Sequence, residues 1–144
     1  MVTSVAEYRN ISGLERALAA AGVLVSSAAV GFVWYFNPSN VHFLPVCPLY
    51  SMTGYACPGC GLTRGFHALF HGDILTALDY NALLPIFALV LGFFYLSMVS
   101  VAVRGRGFGA WAYSPKFLFA FLILLIVFGV VRNLPFYPFS VLFP

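Results

Sequence analysis

Two long stretches without charge fix the solvent of this chain before any motif is considered. Glu7, Arg9, Glu15 and Arg16 precede about 20 uncharged residues, enough for a helix that crosses a bilayer. A second such stretch covers about 82–103. Of the 144 residues, 62% are hydrophobic and only 8% are charged. Soluble domains carry roughly a quarter charged residues, so this chain has too little polar surface to cover itself in water. Lipid is the natural solvent, and the lipid bilayer is the first expected partner. The bases are scattered singly, with no clustered stripe, so nucleic acid is not expected as a partner. The N-terminus lacks the short apolar core and small-residue cleavage site of a signal peptide, so the first apolar run is read as a retained helix.

By length the chain is a single membrane domain, 1–144, with three spans expected. The first covers about 17–36, with Trp34 and Tyr35 at its far end, where interfacial aromatics tend to sit. Asn37-Pro38 breaks it. The second covers about 82–103, with Asn81 as a cap and Pro85 in the first turn, where a missing N–H costs little. The third covers about 116–134, preceded by Trp111 and Tyr113. Its uninterrupted apolar run, Phe117 to Val131, has 15 residues, which puts Arg132 at or just below the interface. There it either snorkels outward or meets a carboxylate. Arg9, Arg16, Arg104, Arg106 and Lys116 fall on one side and Arg64 and Arg132 on the other. The positive-inside bias then makes the N-terminus cytoplasmic, and the C-terminus and all three cysteines exoplasmic.

The insert 37–81 is more apolar than an ordinary loop. Leu62, Phe66, Leu69 and Phe70 recur as a helical stripe, with Arg64, His67 and His71 on the opposite face. Gly72 suits a C-terminal cap, and Asp73 can cap a second short helix through Ile74, Leu75, Ala77 and Leu78. The expected fold class is therefore all-α: three transmembrane helices plus a short exoplasmic or interfacial helical hairpin.

Cys57 and Cys60 form a C-x-x-C just ahead of the Leu62 helix, where free N–H groups and Arg64 one turn on favour a thiolate. Three readings stand side by side. Cys47, Cys57, Cys60 and His67 supply the four ligands that tetrahedral zinc prefers. The pair can instead exchange thiols, although no βαβ pattern accompanies it. The third and preferred reading is a structural turn shaped by Pro58 and Gly59, stapled by a disulfide from Cys47 to Cys57 or Cys60. All three place the sulfurs close together. Covalent haem is disfavoured, because Gly61 and not His follows the second cysteine.

Asp73 and Asp79 share a side with Arg64 and Arg132. In a thin apolar layer the acids are expected to neutralise the arginines rather than act as acid and base. Ser114 and the other hydroxyls have no evident base partner. The stretch "CPGCGLTR", then "HGD" with Ala77 four residues after Asp73, then a span and "RNLP", resembles a family of small bacterial membrane proteins of unknown function, over about 47–138. The resemblance implies a signature of Cys57, Cys60, Thr63, Arg64, Gly72 and Asp73 and a bacterial inner membrane, and carries no activity with it. The family pattern opens the second span with Asn-Pro, where this chain has Asn81-Ala82.

With short segments outside the spans, little room remains for an independent soluble active site, so catalysis is not the leading expectation. The apolar tail "NLPFYPFSVLFP" fits packing against other membrane-protein subunits. The expected function is a non-catalytic accessory or scaffold subunit of a larger membrane complex. The alternative is an exoplasmic thiol-redox or zinc-binding protein using Cys47, Cys57 and Cys60.

Overall fold

The computed structural model describes residues 12–41, 47–107, 114–137 and 139–143, and within them all regular structure is helical. Six α-helices follow in order: α1 Gly13–Tyr35, α2 Pro48–Thr53, α3 Leu62–Phe70, α4 Ile74–Tyr80, α5 Leu84–Arg104 and α6 Pro115–Val131. A 3-10 turn at Phe139–Leu142 closes the chain. The flanking charges Glu7 and Arg9 and the aromatics Trp111 and Tyr113 lie outside the described residues.

α1 begins earlier than the uncharged stretch because Ser12 and Glu15 form a capping box. Ser12 Oγ accepts the Glu15 N–H at 3.2 Å, and the Glu15 carboxylate accepts the Ser12 N–H at 2.8 Å. α1 lies antiparallel to α5. Arg16 donates to the carbonyls of Ala102 and Val103, both at 3.2 Å, which supplies the orphan acceptors at the end of α5. Farther along, Ser27 and Tyr95 hydroxyls meet at 2.9 Å. The two helices come close at Gly22, where a Cβ would sit 2.9 Å from the Met98 sulfur.

α1 and α5 are the two helices long and apolar enough to cross a membrane, and their flanks carry exposed Leu18, Leu24, Leu89 and Leu96. α6 is a shorter apolar helix of 17 residues, capped by Ser114, which accepts the Phe117 N–H. The expected third span is thus seen as a helix shorter than the other two. It ends at Val131 because Arg132 and Asn133 turn inward at its C-terminus.

α3 and α4 pack on each other and on the start of α5. Ala68, Ala77 and Leu84 form the buried centre, with Leu62, Phe66 and Leu69 against it. Gly65 permits this approach, since a Cβ there would lie 3.1 Å from the Ala77 carbonyl oxygen. The expected caps are present. Gly72 has φ +82°, and the Gly72 and Asp73 N–H groups return to Leu69 and Ala68, a Schellman ending. Asp73 accepts the Thr76 N–H at 3.1 Å and so opens α4. Asn81 differs from expectation. It closes α4, while Leu83 is the N-cap of α5, with Pro85 in the first turn.

Candidate functional site

The segment Ala56–Gly61 makes a tight turn before α3. The Cys60 N–H bonds the Cys57 carbonyl at 3.0 Å, and the Leu62 N–H bonds that of Gly59 at 3.1 Å. Pro58 and Gly59 fill the centre, and Gly61, at φ +81°, turns the chain into the helix. This geometry returns the Cys60 sulfur to the Cys57 N–H at 3.2 Å and to within 3.4 Å of the Cys57 sulfur. Cys47 arrives from the other side as the N-cap of α2, a helix the sequence reading did not anticipate. The three Sγ atoms lie within 4.8 Å of one another and are half-buried.

None of the three is in a disulfide. A sulfur–sulfur bond needs about 2.05 Å, so the Cys47 staple that the structural-turn reading allowed is absent and the three cysteines are free thiols. At the start of α2 the backbone N–H of Tyr50 draws the Cys47 thiol down to about 7, although partial burial opposes it. Burial pushes the Cys60 thiol up to about 12, reinforced by the neighbouring Cys47 and Cys57 sulfurs. Of these two the thiolate-prone sulfur is Cys47, outside the Cys57–Cys60 pair for which the sequence reading expected a thiolate.

Three polar side chains from distant parts of the chain hold the turn. Asn133 pairs reciprocally with Ala56, accepting its N–H and donating to its carbonyl, both at 2.8 Å. Asn81, 1% exposed, donates to the carbonyls of Pro58 at 2.9 Å and Cys60 at 3.1 Å, while its Oδ1 accepts the Leu83 N–H. Arg132 is fully buried and donates from one terminal nitrogen to the carbonyls of Cys57 at 2.9 Å and Cys60 at 3.2 Å. Its Nε and other terminal nitrogen have no hydrogen-bond partner among the described residues, and its guanidinium lies 5.0 Å from the centre of the Phe128 ring. Gly129 lets α6 approach this closely, because a Cβ there would lie 3.0 Å from the Pro58 ring.

The expected ion pairs are absent among the described residues. Arg132 satisfies part of its donor set with carbonyls of the cysteine turn, which lies nearer than any carboxylate. Asp73 is occupied at the start of α4, and Asp79 is exposed on that helix. Arg64 lies over the Tyr80 ring at 5.1 Å, and Thr63 is exposed on the first turn of α3. His67 stands apart from the sulfur cluster, with its Nδ1 2.7 Å from the Val33 carbonyl oxygen. One turn after Arg64 on α3, it faces the end of α1 and not the cysteines. Sequence reasoning missed Asn81 and Asn133 as clamps. The available signal was an amide beside an apolar span, where a polar group needs a partner.

Fold and site define a helical chain with two membrane-length helices and a clamped cluster of three thiols. Residues 47–95, a third of the chain, match the model of a family described as "Protein of unknown function (DUF2752)". That match takes in the cysteines, Arg64, Asp73 and Asn81, and stops short of Arg132 and Asn133. No curated protein and no solved structure matches the chain.

Proposed function

We propose that this chain is a small membrane protein that holds one thiophilic metal ion, zinc foremost, on Cys47, Cys57 and Cys60. The observation that carries the reading is the mutual approach of three unbonded sulfurs within 4.8 Å. A tetrahedral zinc with Zn–S bonds of about 2.3 Å sets sulfurs about 3.8 Å apart. Small rotations of the three side chains reach that spacing from the 3.4 Å between Cys57 and Cys60. The clamp by Asn81, Arg132 and Asn133 fixes the turn that carries two of the ligands, the kind of outer support that metal sites use. Charge favours the same reading. Three thiolates around a divalent ion carry a net charge of −1, and the buried guanidinium of Arg132 offsets it. The fourth position is left for water or for a ligand from a partner. In this reading α6 is a third span, and the cysteines face the exoplasmic side of a bacterial inner membrane.

Metal analysis of protein purified with zinc and without reductant provides the test. One zinc per chain, lost in both Cys57→Ser and Cys47→Ser, is expected. Substoichiometric metal together with three titratable thiols, or with a disulfide, overturns the reading. A second reading, a non-catalytic subunit or scaffold of a larger membrane assembly, draws on α6. Its exposed Phe119, Ile123, Ile126 and Val130 leave most of the helix flank for lipid or for another membrane subunit. A native mass in mild detergent well above that of one chain and its micelle, with a second polypeptide present, supports that reading. A lone chain counts against it.

A further inference from the structure

A second concave feature runs along the face of α3 that carries Arg64, His67 and His71, separate from the cysteine cluster. Arg64, His67, His71, Asp73, Thr76 and Tyr80 border a cavity of about 250 Å³. It adjoins the end of α1, where Trp34 stacks on His71 with ring centroids 6.2 Å apart. Trp34 and Tyr35 end a membrane-length helix, which puts the cavity at the depth where lipid headgroups meet water.

The polar groups here are oriented but not saturated. The Arg64 guanidinium is steadied over the Tyr80 ring, yet among the described residues its N–H groups meet no acceptor and no carboxylate pairs with it. His67 Nδ1 lies 2.7 Å from the Val33 carbonyl oxygen and His71 Nδ1 lies 2.8 Å from that of His67. A carbonyl only accepts, so each Nδ1 carries the proton, and Nε2 of each ring is left for a ligand. Asp73 is the single carboxylate at the rim, and it accepts the Thr76 N–H at the start of α4.

We propose that this cavity binds a phosphate group, anchored by Arg64 and completed by the Nε2 atoms of His67 and His71. A planar guanidinium with free donors matches two phosphate oxygens at once. The remaining oxygens face the imidazoles, which accept from a P–OH or donate when protonated. A phosphate offers more oxygens than a carboxylate to share among the three groups. Asp73 on the rim disfavours ligands with further negative charge. The phosphate comes from a lipid headgroup or from solution, and the two sources are separable.

Purified full-length protein in detergent is titrated with inorganic phosphate, with dihexanoyl phosphatidic acid and with dihexanoylglycerol, and binding is followed by calorimetry. Wild type is expected to bind at least one of the phosphate compounds. Arg64→Gln is expected to weaken that binding at least tenfold, and Arg104→Gln to leave it unchanged. Tighter binding of the phosphatidic acid than of inorganic phosphate, with none of dihexanoylglycerol, assigns the site to a headgroup. Equal binding of the two phosphates assigns it to free phosphate. The proposal is overturned if neither phosphate compound binds by about 10 mM, if dihexanoylglycerol binds as well as the phosphatidic acid, or if Arg64→Gln binds as wild type does. Helicity by circular dichroism confirms the fold of each variant. Should Arg64→Gln lose helicity, His71→Asn takes its place with a severalfold loss expected, and wild-type binding by it overturns the proposal. None of these outcomes depends on whether the cysteines hold metal.

Discussion

The Gly61 end of α3 and its Arg64–His67–His71 face hold their polar groups differently. At the Gly61 end all four carbonyls of Cys57–Cys60 accept a hydrogen bond, from Arg132, Asn81 or the turn itself. Along that face, among the described residues, the Arg64 guanidinium meets only a ring face, and two imidazoles keep one nitrogen each unengaged. The first is half-buried and fixed by the buried Arg132 and Asn81, as a site needs to be when its ligands must hold a set geometry. The second is open and only oriented, as suits a group that exchanges with solvent or lipid. Burial makes the difference. A polar atom taken from both water and lipid headgroups costs roughly 1–3 kcal/mol unless it is bonded, which favours pairing of the turn's carbonyls, while Arg132 keeps its Nε and second terminal nitrogen without a partner among the described residues.

Removing an arginine from each region should therefore have unequal effects. Arg132→Ala deletes the donor to Cys57 and Cys60 and leaves a hole behind Phe128, at an expected cost of about 3 kcal/mol. Arg64→Ala removes an exposed side chain and should stay within about 0.5 kcal/mol. Unfolding of both variants in the same detergent measures the gap. Equal losses would break the contrast between the two regions.

Around the cysteine turn the amides rank next. Asn133→Ala removes both bonds to Ala56 and the one to Gly129, and is expected to cost about 2 kcal/mol. Asn133→Asp keeps the acceptor for the Ala56 N–H but loses both donors, so it should not restore stability. Rescue by Asp would show that the donors to Ala56 and Gly129 contribute little.

The sulfurs sharpen the comparison from within the site. With Cys47 drawn down to about 7 and Cys60 pushed up to about 12, at pH 8 the first is mostly thiolate and the second almost wholly thiol. Thiolate is the reactive form, although nucleophilicity falls with pKa and offsets part of the advantage. In chelator-treated protein Cys47 should therefore be alkylated roughly thirty- to ninetyfold faster than Cys60 at pH 8. The ratio should shrink as the pH rises toward 10 and Cys60 begins to ionise. Peptide mapping after timed iodoacetamide exposure reads both rates, and equal rates at pH 8 would count against the different environments described for the two sulfurs.

How much of this was legible follows from the range of each interaction. Helix bounds near Trp34, Pro85 and Ser114, and the Gly72-Asp73 junction, depend on neighbours a few residues away, and the sequence carries them. The closeness of Cys57 and Cys60 is equally local. The meeting of Arg132 with the Cys57 carbonyl joins residues 75 apart in sequence. Sequence supplied the need, a guanidinium at the end of an apolar run, but named a carboxylate because backbone acceptors carry no side-chain mark. His67 was misassigned to the sulfur cluster for a related reason. Helical periodicity gave its face correctly, with Arg64 and His71, while its distance from Cys47 depends on where α1 lies. α2 was missed because its six residues are too few to show a period.

The smallest effect is expected at Asp73, which belongs to the open region but makes a local bond. The Thr76 hydroxyl and N–H beside it hold its carboxyl below the ordinary range. A depressed carboxyl favours the folded state above its unfolded pKa of about 3.9, and that contribution is lost as the pH falls through the lower folded value. At pH 7 the whole of it is present. Asp73→Asn keeps an oxygen for the Thr76 N–H and loses the charge, whereas Asp73→Ala loses both. Melting temperatures at pH 7 should fall in the order wild type, Asp73→Asn, Asp73→Ala. The gap between wild type and Asp73→Asn should narrow toward pH 3, as the carboxyl takes up its proton. A gap that stays constant from pH 7 to pH 3 would mean that the charge contributes nothing and that the cap acts through its oxygen alone.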